Sequence, residues 1–254
     1  MSDALEIRVH GDAALPTLIY LPGLHGDWLL VTRFRLAVAG RVRFVEFTYP
    51  NTTEWSLADY ANAVEAKLAA AGIEHGWLLA ESFGSQVAWL LLQAKRFRAT
   101  GLILAGGFVR HPWLGGVRLA ARFCERAPLA WLTAVVNGYA VVARWRFNQN
   151  PGVLAALHTF KARWNESLRQ AAVQRLRLIA ANDPRPLARA AALPVFHLTG
   201  VFDPIVPWWP VHRWLRRECP GWRANQIVWT ADHNVLGTGT AASVETALHW
   251  LTER

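Results

Sequence analysis

Ser82 lies in the segment Ala80-Glu81-Ser82-Phe83-Gly84, between the apolar run Trp77–Ala80 and a stretch of helical spacing from about Phe83 to Lys95. A chain that turns from strand to helix at a serine holds the hydroxyl out at the sheet edge. Only small residues fit two places before and two places after it. Gly84 meets that need, and Ala80 keeps the volume small where glycine would be usual. The Phe83 N–H is then free at a helix start, where it and the helix dipole can stabilise an oxyanion. Asp203 follows the apolar run Val195–Thr199, inside Gly200-Val-Phe-Asp203-Pro-Ile-Val-Pro207. His233 follows the strand-like run Gln226–Thr230, inside Ala231-Asp232-His233-Asn234. A hydroxyl, an imidazole and a carboxylate in contact make a strong nucleophile: the imidazole takes the serine proton and the carboxylate orients the ring. Simpler roles compete. Ser82 could only cap a helix, Asp203 could only fix its own turn, and Asp232 is a rival acid, although an immediate neighbour of the histidine normally points elsewhere.

These residues need a frame. Leu15–Leu21, Arg41–Thr48, Trp77–Ala80 and Gly101–Ala105 read as strands, and helical stretches at Trp28–Ala39, from Ser56 to Gly72 and from Phe83 separate them. Ser56-Leu-Ala-Asp59 is a capping box. Strand alternating with helix predicts an α/β fold with a mostly parallel central sheet and helices on both faces. The pattern changes at Arg110. From there to about Ala181 the chain is helical, with breaks expected at Pro128, near Asn137-Gly138 and at Asn150-Pro-Gly152. Alternation resumes with Val195–Thr199, a helix over Val211–Glu218, a strand at Gln226–Thr230 and a last helix from Ser243. Residues 110–187 therefore read as an inserted all-helical cap, and 1–109 with 188–254 as one α/β core. His197 falls in an apolar strand and reads as core; His212 and His249 fall on helices.

The motif at Ser82, the chain order serine, acid, histidine, and the loop Leu21-Pro-Gly-Leu24-His-Gly26 together resemble the α/β-hydrolase superfamily over nearly the whole chain. The resemblance implies a serine hydrolase with Ser82, Asp203 and His233 as its triad, acting on a carboxylic ester or thioester through an acyl-enzyme. It also implies a second oxyanion donor in the loop after the first strand. Aligning strand ends makes that donor the N–H of Leu24; a shifted alignment through His25-Gly26 makes it Asp27. The helices inserted in this place in the family cover the active site, with Trp113, Trp131 and Phe160 as candidates for the pocket wall. Serine at the elbow, where epoxide hydrolases and haloalkane dehalogenases carry aspartate, points away from those chemistries. C–C bond hydrolysis, cofactor-free perhydrolysis and a catalytically silent binding module on the same fold remain as alternatives.

Composition narrows the class further. The chain has 254 residues, 53% hydrophobic and 18% charged, enough for a packed domain with one insertion. No cofactor is implied, since no dinucleotide or phosphate-binding motif and no metal-ligand spacing is present. Cys124 and Cys219 read as reduced thiols. A cytoplasmic protein is expected, because the N-terminus does not resemble a secretory signal and no apolar run is long enough for a transmembrane segment. The net charge of +9 is concentrated between residues 110 and 189, where 13 Arg or Lys face 3 Asp or Glu. That segment could be a solvated surface, or it could meet an acidic acyl carrier protein, a CoA moiety or anionic lipid. Nucleic acid is not expected, as no binding motif accompanies the charge.

Overall fold

The structure, a computed structural model of the chain, describes residues 4–94, 96–146, 159 and 163–253. Seven strands form one sheet: β1 (Glu6–His10), β2 (Thr17–Leu21), β3 (Arg43–Thr48), β4 (His75–Glu81), β5 (Arg98–Ala105), β6 (Val195–Gly200) and β7 (Trp222–Val228), in the order β1-β3-β2-β4-β5-β6-β7. Every pairing is parallel except that of β1 with β3. The fold class is therefore the expected one.

Side chains along each central strand alternate between two cores, as the two-residue period of a strand requires. Ile19 and Leu21 of β2, with Leu78 and Ala80 of β4, pack toward α2 (Leu57–Ala70), α3 (Gly84–Ala94) and the helix Trp208–Glu218. Leu18 and Tyr20, with Trp77 and Leu79, pack on the opposite face toward α1 (Thr32–Ala37) and the last helix, Thr240–Thr252. Burial on both faces explains why β2, β4 and β5 read as short continuous apolar runs.

The helix α2 starts where its capping box places it. The Ser56 side chain accepts from the Asp59 N–H and the Asp59 carboxylate accepts from the Ser56 N–H. Four expectations need correction. The strand β1 went unread, because three of its five residues are exposed at the sheet edge and its apolar signal is thin. The last strand lies at Trp222–Val228, not Gln226–Thr230; as an edge strand it is only partly buried, so hydrophobicity marks it poorly. The helix expected over Trp28–Ala39 shortens to Thr32–Ala37, since the Asp27 carboxylate takes the Leu29 N–H at 2.8 Å and holds a turn there. Finally, no break occurs near Asn137-Gly138. Both residues are exposed within one continuous helix, and an exposed mid-helix glycine costs only about 1 kcal/mol. The break expected at Asn150-Pro-Gly152 lies outside the described residues.

Between β5 and β6 the described chain is helical: α4 (Leu114–Arg126), α5 (Leu129–Arg146), α6 (Glu166–Ala181) and the short α7 (Arg185–Arg189). After β6 come α8 (Trp208–Glu218), the short α9 (Val235–Thr238) and α10 (Thr240–Thr252). Among the described residues no helix is long and apolar enough to cross a membrane. Both cysteines are unpaired.

Candidate active site

The order of strands decides where a site can form. The chain leaves β2 toward β3 on one side, then crosses back to start β4 on the other, so the loops after β2 and β4 diverge. A crevice opens at the carboxyl ends of strands at such a reversal. Ser82 follows β4 directly, and Leu24 follows β2.

Ser82 has φ 47°, the one positive φ outside glycine among the described residues. Holding a non-glycine residue there costs on the order of 1–3 kcal/mol. Surrounding bonds enforce it. The Ser82 N–H donates to Ala105 O at 3.2 Å, and the Ser85 hydroxyl donates to Ser82 O at 2.6 Å. Gly84 is required by a close approach: a Cβ there would lie 2.2 Å from the Leu21 carbonyl oxygen. Ala80 is fully buried within the sheet, so the small side chain at that place fits without a glycine. Gln86 and Trp89 of α3 donate to the carbonyls of Phe108 and Val109 in the loop after β5, and Asn182 at the end of α6 donates to Gln86 Oε1 at 3.0 Å.

Asp203 and His233, from the loops after β6 and β7, meet Ser82 at the same sheet edge. His233 Nε2 lies 2.9 Å from Ser82 Oγ, and His233 Nδ1 lies 2.7 Å from Asp203 Oδ2. A carboxylate only accepts, so Nδ1 carries the hydrogen and Nε2 presents a lone pair to the serine hydroxyl. Asp203 Oδ1 accepts from the N–H groups of Ile205 and Val206 at 2.8 and 2.9 Å. Asp203 thus fixes its own turn with one oxygen and faces the imidazole with the other. Asp232 points elsewhere, to the Thr238 hydroxyl and the Asn234 N–H. Burial pulls the His233 imidazole down, but Asp203, through charge and hydrogen bond, with Glu81 and Asp232 behind it, outweighs that and leaves its pKa raised.

The loop after β2 is a tight turn closed by the Gly26 N–H on Gly23 O at 3.0 Å. Among the described residues no hydrogen bond takes the N–H of Leu24 or of Phe83. Leu24 lines a cavity of about 180 Å³ together with Ser82. Phe108, Pro204, Ile205 and Val206 complete its wall from the sheet side, and His111, Trp113, Val117, Leu176 and Ile179 from the helical segment. Asp27, the other candidate donor, has its carboxylate 3.0 Å from Arg163 and is absent from the cavity wall. Trp113, though largely exposed, lines the cavity, while the similarly exposed Trp131 does not; Phe160 lies outside the described residues. Among the described residues, no group of three or more His, Cys, Asp or Glu side chains could hold a metal ion.

Three features escaped the sequence reading. His111 lines the cavity; burial holds it below the usual imidazole value, and its Nδ1 accepts the Trp113 N–H at 3.1 Å. Beneath Ser82, the Tyr20 hydroxyl donates to the buried Glu81 carboxylate. Burial and Glu81 both raise the Tyr20 pKa, so it stays a donor. Arg175, on α6, is completely buried. Its position four residues from both Ala171 and Ile179 on the buried stripe of that helix was the available signal.

Comparison with solved structures places this fold in a known architecture. An enol-lactonase from Burkholderia xenovorans superposes with a TM-score of 0.80 over 98% of this chain and 96% of that one, at 17% identity. An alpha/beta hydrolase enzyme from a Medee basin deep-sea metagenome library superposes with a TM-score of 0.80 over 98% and 94%, at 9% identity. The fold is that of the α/β-hydrolases. A thermophilic esterase from Thermogutta terrifontis shares this α/β-hydrolase fold with a TM-score of 0.76 over 97% and 92%, at 18% identity. No family model matches the chain, and no curated protein does.

Some of the basic side chains of the helical segment form ion pairs. Arg110 and Arg185 pair with Asp183, Arg163 with Asp27, Arg169 with Glu166 and Arg177 with Glu125. Arg118, Arg122 and Arg126 are exposed along α4, four residues apart, with no carboxylate partner among the described residues.

Proposed function

We propose that the chain is a serine hydrolase that cleaves carboxylic esters through an acyl-enzyme on Ser82. The observation that carries this reading is the unbroken contact from Ser82 Oγ through His233 to Asp203, at 2.9 and 2.7 Å. In the first half-reaction the Ser82 oxygen bonds to the substrate carbonyl carbon while His233 Nε2 takes its proton. Asp203 holds the ring and stabilises the imidazolium. The tetrahedral oxyanion accepts hydrogen bonds from the Leu24 and Phe83 N–H groups. The imidazolium then gives its proton to the leaving oxygen as the C–O bond breaks. Water repeats the sequence on the acyl-enzyme, with His233 again as base, and releases the acid and free Ser82. The likeness in fold to an enol-lactonase and esterases supports the ester class.

Residues 110–187 serve in this reading as the cap, and 1–109 with 188–254 as the core. The mixed lining of the cavity by both segments supports that division. A cavity of about 180 Å³ with apolar walls suits a short acyl group. Turnover of p-nitrophenyl esters is therefore expected to peak at short acyl chains and decline as the chain lengthens; a preference for long chains would count against it.

The direct test is a fluorophosphonate probe. Stoichiometric labelling of Ser82 is expected, absent in Ser82→Ala and greatly reduced in His233→Ala. Well-folded protein that never labels would instead be a binding module on the hydrolase fold. A thioester on an acidic carrier is the second reading, and the exposed row Arg118, Arg122 and Arg126 favours it. Its mark is a kcat/KM that falls with ionic strength for an acyl-CoA but stays flat for a neutral ester; equal slopes would remove it.

A further inference from the structure

Arg175 is 0% exposed, and among the described residues no carboxylate pairs with it. Its guanidinium spends its donors on neutral oxygens. Nη1 donates to Leu24 O at 2.7 Å, Nη2 to Pro50 O at 3.0 Å, and Nε to the Tyr60 hydroxyl at 3.4 Å. The cation also lies near the rings of Tyr49 and Tyr60, at 5.7 and 6.0 Å from their centroids. Burying a cation without a counter-ion is costly, and an apolar side chain of similar length would fill the space without that cost. The charge and the forked donors must therefore supply something that packing cannot.

What they supply is visible in the loop after β2. The turn Gly23–Gly26 is closed at its base by one backbone hydrogen bond, and Tyr49 N–H donates to Gly26 O at 2.7 Å. The first bond holds the Gly23 carbonyl and with it the peptide plane that carries the Leu24 N–H. Arg175 holds the next plane by donating to the Leu24 carbonyl, and among the described residues no hydrogen bond takes the Leu24 N–H beside Ser82. The loop in turn is shaped to admit the guanidinium. Gly26 has φ +75°, and a Cβ there would lie 2.4 Å from Arg175 Nη1. Through Pro50, the same side chain ties down the loop after β3.

We propose that Arg175 is a positioning residue for the oxyanion site: a cation from the helical segment that holds the peptide plane after Leu24 and so braces the turn presenting the Leu24 N–H. This rests on the reading of Ser82 as nucleophile and Leu24 as donor. The insertion then does more than wall the acyl cavity, because α6 completes the site that stabilises the transition state. A displaced oxyanion donor slows chemistry while leaving ground-state binding in place.

The experiment compares wild type, Arg175→Met and Arg175→Lys by steady-state kinetics on a short p-nitrophenyl ester and by affinity for a trifluoromethyl ketone, which mimics the tetrahedral adduct. Arg175→Met is expected to lose roughly 10–100-fold in kcat with KM nearly unchanged. Ketone affinity should fall by the same factor, and the acid limb of kcat/KM should keep its midpoint, since the His233 relay is untouched. Arg175→Lys, which can reach one carbonyl but not both, should recover part of the loss. A folded Arg175→Met with wild-type kcat overturns the proposal, as does a loss in KM alone. Should Arg175→Met fail to fold, Arg175→Lys decides alone: a lowered kcat at fixed KM supports the assignment and an unchanged kcat overturns it. Wild type that turns over no ester and never labels at Ser82 would defeat the underlying reading, which is a separate result.

Discussion

At the scale of single residues, the pH behaviour of His233 follows from what surrounds it. Burial alone would favour the neutral ring, but Asp203 reverses the balance and Glu81 adds to it. In the proposed mechanism the neutral ring is the base, so activity should rise as His233 loses its proton. The acid limb of kcat/KM is expected above about 6.5, the usual imidazole value. A midpoint at or below that value would contradict the electrostatics. Glu81→Gln removes one contributor and should move the midpoint down, with kcat at the alkaline plateau reduced little. Asp203→Asn removes the acceptor that fixes the tautomer, and a loss of roughly 10⁴-fold in kcat is expected. Retention of near-full activity in Asp203→Asn would reassign the acid. The types Ser, Asp and His in chain order were legible at this scale. The choice between Asp203 and Asp232 was not decided by spacing, since only the loop conformation shows which carboxylate faces the ring.

At the scale of elements, the elbow and the first cap make separate, checkable contributions. Gly84→Ala would place a Cβ against the Leu21 carbonyl, with no flexible side chain to yield. We expect roughly 1–3 kcal/mol of destabilisation, together with lower turnover, since in the proposed mechanism the Phe83 N–H just before α3 serves the oxyanion. Thermal melts and ester turnover measure the two parts, and unaffected values for both would show that the turn relaxes freely. Ser56→Ala removes the capping box of α2, far from the chemistry. A loss of about 1 kcal/mol in urea unfolding with unchanged kcat is the expected result. Elements with strong local signals were readable in advance: the capping box, the buried strands β2 and β4, and the strand-to-helix turn at Ser82. Edge strands β1 and β7 were missed or misplaced, because an edge strand is held by backbone pairing that leaves little mark on side-chain pattern.

At the scale of the whole molecule, acid sensitivity has one identifiable source in the sheet. His197 sits on β6 with no exposed surface, and burial pushes its imidazole down to about 4. Between about 6.5 and about 4 the unfolded chain binds a proton that the folded chain refuses. Stability is therefore full above that window and falls as pH drops through it, by about 3 kcal/mol from this residue. Urea unfolding near neutrality and at about pH 4.5 should show a shallower fall in His197→Leu than in wild type; identical slopes would clear His197 of the effect. The ring is core, as its place in an apolar run predicted. The charge excess, by contrast, looked in the sequence like one basic surface, whereas in the fold several of those side chains sit in ion pairs and one arginine is buried.

The sequence by itself determined the alternation of strand and helix, the helical block between β5 and β6, and the turn that lifts Ser82 out of the sheet. These depend on local propensity and on periods of two and about four residues, which a single chain displays directly. Only the tertiary structure decided which carboxylate meets His233, which N–H groups are left without partners, and why a cation lies buried beneath the loop that carries Leu24. Those outcomes depend on distances between segments far apart in the chain. Such distances are set by how the sheet orders its strands and how the helices between β5 and β6 pack back onto it, and neither is written in the spacing of residues along any one element.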